Sequence, residues 1–171
     1  NPHWYSTIFG VYVFIGGFLA SMAVLTLVFL TMRGQGMLTK EISIDHFHDL
    51  GRLLFAFTVF WAYIGGSQYY LIWYANIPEE TMWFLARWDN GWHVISMALI
   101  FLHFLVPFLT LAFYRIKRTF AMLRIIAALL VLMHFVDMFW LVMPTFGPEI
   151  HFSWMHITSV FGIGGLVLWM F

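Results

Sequence analysis

Five stretches of this sequence run for about 20 residues with almost no charge. They extend from about Thr7 to Met32, Leu50 to Tyr74, Trp92 to Tyr114, Phe120 to Met143, and Trp154 to the final Phe171. The hydrocarbon core of a bilayer takes roughly 20 mostly apolar residues per crossing helix. Backbone N–H and C=O groups find no partners in lipid, so a crossing segment must be a helix or part of a closed barrel. These runs are too long for barrel strands and lack their alternation of polar and apolar residues. The sequence therefore predicts an all-α fold, a polytopic bundle of five transmembrane helices.

Composition excludes the other classes. Of 171 residues, 63% are hydrophobic and 9% are charged. A soluble domain carries charge on about a quarter of its positions. Eight basic side chains are balanced by eight acidic ones. Such a chain cannot cover a water-facing globule, has too little polarity for a disordered segment, and lacks the basic excess that would bind nucleic acid. There is no cysteine, which removes disulfides, thiolate zinc sites and iron–sulfur ligation. The chain begins at Asn1 and ends inside an apolar run. Residues 1–171 thus read as a single transmembrane region, expected to be part of a longer protein.

Helix breakers fall between the runs: Gly34-Gln35-Gly36, Asn76-Ile77-Pro78, and Pro144, Gly147 and Pro148. Trp4, Tyr5, Trp73, Tyr74, Trp88, Trp92, Tyr114, Trp140 and Trp154 crowd the run ends as an interfacial aromatic belt. Arg33, Lys40, Arg52, Arg115, Lys117, Arg118 and Arg124 all fall on one side, and Arg87 alone on the other. The positive-inside rule makes the first side cytoplasmic. The N-terminus and the loops carrying Pro78-Glu79-Glu80 and Glu149 then face out.

Ionisable groups inside a span are costly and usually face a cavity or a partner. His93, Ser96 and His103 fall on one stripe of the third span. His134 and Asp137 share a face of the fourth. Ser67 and Gln68 lie in the outer half of the second, and His156 and Ser159 near the outer end of the fifth. At 1.5 Å per residue, His103 stands about 16 Å above the cytoplasmic end, His134 about 20 Å and Asp137 about 24 Å. Ser67, Gln68 and Ser96 come out at about 26 Å, and His93 and His156 near 30 Å. Pro107 lacks the N–H that would bond the His103 carbonyl, which predicts a kink there.

This ladder suggests a proton relay, with Asp137 as central carrier, His134 and His103 beside it, and His93, Gln68, Ser67 and His156 lining an outer exit. Asp45, His48, Asp49 and Arg52 share a stripe if the second helix starts early, and form a candidate cytoplasmic entrance. Between that entrance and His103 the sequence offers little beyond Thr58 and Tyr63.

Each feature also has a plainer reading. A single histidine can tie one helix to the next, and Asp45 to Arg52 can be a solvated helix start. The glycine pairs Gly16-Gly17, Gly65-Gly66 and Gly164-Gly165 allow close helix packing. Two competing functions follow. One is a purely structural anchor. The other is a haem-binding, cytochrome b-like subunit, since His103 and His134 have similar depth on adjacent helices; the second histidine pair of a dihaem protein is missing. No metal site and no catalytic residue is expected in this chain.

Two long strings carry a family resemblance. Asp49-Leu-Gly-Arg-Leu-Leu-Phe-Ala-Phe-Thr-Val-Phe-Trp-Ala-Tyr63 leads on to Ser67-Gln68-Tyr69-Tyr70-Leu-Ile-Trp-Tyr74-Ala-Asn76-Ile-Pro78-Glu79-Glu80-Thr, and the chain opens with Pro2-His3-Trp4-Tyr5-Ser6-Thr7-Ile8-Phe9-Gly10-Val11-Tyr12. With Arg87 and Gly91-Trp92, these resemble the second large quinone-binding-type membrane subunit of alternative complex III, a bacterial quinol:electron acceptor oxidoreductase. The resemblance spans nearly the whole chain and corresponds to the later half of that subunit. Gly65-Gly66 departs from it, where a bulkier residue is expected before Ser-Gln.

The resemblance implies an NrfD/polysulfide-reductase-C-like helical fold in the bacterial inner (cytoplasmic) membrane. It also implies partners: a sister NrfD-like subunit, an iron–sulfur subunit and multihaem c-type cytochrome subunits. Haem and iron–sulfur clusters would then sit in those partners. Quinone or quinol is a possible ligand, oxidised mainly at the sister subunit. This chain would supply scaffolding and a proton-conducting arm.

Overall fold

The computed structural model describes residues 8–37, 42–147, 150 and 153–170, and is helical without strands among them. Trp4, Tyr5, Lys40, Pro148 and Glu149 lie outside the described residues. Four helices are long and apolar enough to cross a membrane: α1 (Phe9–Gly34), α2 (Ile44–Ala75), the run Trp92–Ala112, and α7 (Phe120–Val142) with the 3-10 turn Met143–Thr145. The fifth apolar run forms α8 (Trp154–Met170), shorter at 17 residues.

Local chemistry sets the ends. α2 starts at Ile44, well before the predicted Leu50, because Ser43 caps it. The Ser43 hydroxyl accepts from the Asp45 N–H at 3.3 Å, and the His46 ring accepts from the Ser43 N–H at 3.2 Å. His46 thus plays the part that a glutamate usually takes in a capping box. α2 ends on Asn76 in the left-handed conformation (φ 48°), a common helix stop. The Pro78-Glu79-Glu80 segment, expected as a loop, is instead a short helix, α3 (Pro78–Leu85). Proline at its first position needs no N–H partner, and the two glutamates favour the positive end of the helix dipole.

The third span is where Pro107 acts. α4 (Trp92–Ala98) widens into a π-helical segment, Leu99–Leu105, before α5 (Val106–Ala112). The Val106 N–H bonds the Phe101 carbonyl, five residues back. The expected kink is therefore a change of helical register, of the sort that often marks functional sites. Phe113 is extended (ψ 129°), which ends the span at Ala112, short of Tyr114. A single turn, α6 (Tyr114–Lys117), follows.

α1 packs between α2 and α7, α2 also packs on α5, and α7 on the π segment. The seam is built of Ile15, Leu19, Ala23 and Leu30 from α1, Leu54 and Ile64 from α2, and Leu123, Ala127 and Leu130 from α7. Lipid gives such faces no hydrophobic drive to associate, so close fit and hydrogen bonds must hold them. One end of the bundle gathers cations. Arg33 donates to the Ile42 carbonyl, Arg124 to the Leu30 carbonyl at 3.2 Å, and Arg118 pairs with Asp45 at 2.6 Å. Arg87 lies at the other end, against α7 at Leu141.

Candidate functional site

Three helices meet at Asp137. Its side chain is fully buried on α7. The Tyr12 hydroxyl of α1 donates to Oδ1 at 2.5 Å, and the Trp61 indole N–H of α2 donates to Oδ2 at 3.2 Å. Each carboxyl oxygen thus has a neutral donor, and no cation pairs with it among the described residues. Trp61 is the hub. Its ring stacks on the His103 imidazole at 4.2 Å and 19°, and its centroid lies 5.7 Å from that of Tyr12.

His103, on the π segment, is fully buried, and neither ring nitrogen makes a hydrogen bond. The Met133 carbonyl lies beside the ring without hydrogen-bond geometry. His134, one turn before Asp137, is half-buried, and its Nδ1 is also unpartnered. The two imidazoles lie within electrostatic reach of each other. No hydrogen bond joins either to Asp137 among the described residues; the Trp61 indole lies between.

Two glycines make room for this cluster. A Cβ on Gly16 would stand 3.1 Å from His134 Cε1 and 3.6 Å from Trp61 Cδ1. A Cβ on Gly65 would stand 3.2 Å from Tyr12 Cε2. Gly65 belongs to the Gly65-Gly66 pair at which a bulkier residue was expected before Ser-Gln. Here its lack of a side chain lets the Tyr12 ring lie against α2 and reach Asp137.

The rest of the predicted ladder is dispersed. Ser67 donates back to its own helix at the Ile64 carbonyl, and Gln68 is half-buried nearby. His93 is exposed beside the Trp88 ring. The His156 side chain lies outside the described residues. Ser96 holds the Arg87 end together: it donates to the Arg87 and Trp92 carbonyls and accepts from the Trp140 indole at 2.8 Å.

Asp45, His48, Asp49 and Arg52 do share the start of α2. Asp45 pairs with Arg118, Asp49 with Arg52 at 3.4 Å, and His48 lies 3.8 Å from Asp49 and against the Tyr114 ring. Between this cluster and Asp137 most packed side chains are apolar, Phe47, Leu54, Leu123, Ala127 and Leu130 among them, and buried Thr26 donates back to its own helix at the Met22 carbonyl. Thr58 is buried but bonds its own helix at Leu54, and Tyr63 points away from the core, 66% exposed.

Two residues of the Asp137 cluster, Tyr12 and Trp61, were not among the predicted ones, and neither was Arg87, which lies apart from that cluster. Trp61 carried a signal, since it lies in mid-span, away from the depth of the aromatic belt. Among the described residues Arg87 is the one lysine or arginine at its end of the bundle, and it is 3% exposed. It donates to the Trp83 and Leu141 carbonyls at 2.8 and 2.7 Å and lies 3.5 Å above the Trp83 ring. Burial lowers its pKa, and the nearby Tyr12 partly opposes this. No group of three or more His, Asp or Glu that could hold a metal ion occurs among the described residues.

No family model matches the chain, and no curated protein matches it.

Proposed function

We propose that this chain is a multi-pass subunit of a quinol-oxidising respiratory complex of the alternative complex III type, in which it braces the assembly and holds protons at Asp137. The long strings around Arg52 to Tyr63 and Ser67 to Glu80 support the first part. They suggest the sister membrane subunit, the iron–sulfur subunit and the multihaem cytochromes as partners in a bacterial inner membrane. The electron centres belong to those partners in this reading.

The observation that carries the proton role is a fully buried carboxyl on an apolar span with two neutral donors and no cation paired with it among the described residues. A fixed structural carboxylate in lipid would be expected to have a paired charge. A carboxyl that alternates between charged and neutral needs donors that tolerate both states. As carboxylate, Asp137 accepts from Tyr12 and Trp61. When a proton arrives on Oδ1, the Tyr12 O–H must turn to another acceptor, and it turns back when the proton leaves. His103 and His134, with unbonded nitrogens nearby, are the groups positioned to exchange that proton through water. The apolar layer towards the cytoplasmic cluster supports an outlet on the Arg87 side.

The test is Asp137→Asn in the intact complex, with protons released per quinol as the readout. The proposal expects turnover to fall by about a hundredfold or more, within the range for a lost acid–base group. Unchanged stoichiometry and turnover would remove Asp137 from any path. One observation favours a second reading, a static tie: Asp137 joins α1, α2 and α7 through two bonds. That reading expects the variant to assemble poorly while the surviving complex releases protons normally.

A further inference from the structure

An open cleft of about 120 Å³ lies at the Arg87 end, lined by Glu79, Met82, Trp83, Ala86, Arg87 and Thr145, together with Pro144. It is separate from the Asp137 cluster. Arg87 is the feature that needs explaining. Its guanidinium is almost wholly buried, and its Nε is buried with no hydrogen-bond partner. Two carbonyls and the faces of Trp83 and Trp140 offset part of its charge, but no carboxylate pairs with it among the described residues. A buried cation without an anion is costly, and removing such a charge from water is repaid by a counter-ion. Glu79 lines the same cleft and forms no ion pair with Arg87.

The cleft therefore presents a buried planar donor and an exposed carboxylate within one small volume. One wall is the Trp83 indole, and tryptophan is the residue that meets lipid headgroups at a membrane interface. A guanidinium matches phosphate oxygens in geometry as well as charge. We propose that this cleft is a headgroup site for an amine-bearing phospholipid, with Arg87 holding the phosphate and Glu79 the ammonium. Phosphate alone satisfies Arg87 only. The carboxylate adds a preference for a headgroup that is positive one short linker beyond its phosphate. A choline headgroup offers Glu79 no N–H, and a glycerol headgroup offers it no charge.

The experiment uses the protein with its accompanying subunits, placed in nanodiscs of equal phosphatidylethanolamine, phosphatidylglycerol and phosphatidylcholine. The lipids that remain after detergent washing are measured by mass spectrometry. The wild type is expected to retain phosphatidylethanolamine above its share. Glu79→Gln, an exposed change that leaves the fold intact, is expected to abolish the preference for the amine while retaining phospholipid. Arg87→Gln is expected to lose retention of all three, and Arg87→Lys to restore part of it. Retention in proportion to the mixture, or a preference unchanged in Glu79→Gln, would overturn the proposal. So would displacement of the lipid by millimolar inorganic phosphate alone, which would make the site one for free phosphate. An acidic side chain of a partner subunit filling the cleft in a map of the complex would overturn it too.

Discussion

Tyr12 and Asp137 stand 125 residues apart in the chain and 2.5 Å apart across one hydrogen bond. That bond ties the start of the first span to the later half of the fourth, inside a core where Tyr12 is 6% exposed. Tyr12→Phe keeps the ring and removes the donor. A buried acceptor left without its partner costs about 1–3 kcal/mol. We expect the detergent-solubilised protein to unfold at lower temperature, and proton-coupled turnover to fall with it. A melting temperature equal to wild type would mean that the bond contributes nothing net.

The glycine pairs make a sharper test, because each contains its own control. Gly16→Ala would drive a methyl to 3.1 Å from His134, whereas Gly17→Ala meets nothing within 4 Å. Gly65→Ala would press on Tyr12 at 3.2 Å, whereas Gly66→Ala meets open space. The Gly17 and Gly66 changes should be neutral or slightly stabilising, since alanine favours helix over glycine by about 1 kcal/mol. The Gly16 and Gly65 changes should lose that gain and impair turnover. If all four behave alike in thermal melts and activity, the fit around His134 and Tyr12 is looser than the distances indicate.

The sequence revealed four of the five expected spans and the buried carboxyl, because both rest on local facts: run length and a charge among apolar residues. It also placed His134 beside Asp137, since a three-residue step on a helix puts both on one face. It could not reveal Tyr12 or Trp61 as partners. Nothing local tells which way a helix is turned about its axis, and these contacts are set by how three helices face each other. The π segment was half legible. Pro107 announced a break, but whether the backbone kinks or widens depends on what packs against it, here Trp61 on His103. The start of α2 was misplaced because a histidine, and not a glutamate, closes its capping box.

The cluster at the start of α2 gives a prediction that opposes the entrance suggested by its spacing. Asp45 and Asp49 are exposed and engaged with Arg118 and Arg52, and an apolar layer separates them from Asp137. Exposed ion pairs of this kind contribute little and are screened by salt. Asp45→Asn combined with Asp49→Asn should leave proton release per quinol unchanged, with at most a small, salt-dependent loss of stability. A clear fall in proton release would show that protons do reach the core from that side.

His103 separates stability from function most cleanly. Its imidazole is fully buried, stacks on Trp61, and leaves both nitrogens without hydrogen bonds. Replacing an unsatisfied buried polar group by an apolar one of similar shape is often neutral or stabilising. His103→Phe keeps an aromatic ring on the indole and discards the nitrogens. Thermal melting of this variant should match or exceed wild type, allowing for some strain from the larger ring. If the ring serves only to pack, turnover and proton release will be preserved as well. If its nitrogens exchange protons with the Asp137 cluster through water, both will drop in a protein that is no less stable. Groups kept for chemistry at a cost in stability behave in this way. A variant that melts much lower than wild type would show instead that the imidazole has a bonding partner, and would point to the Met133 carbonyl beside it.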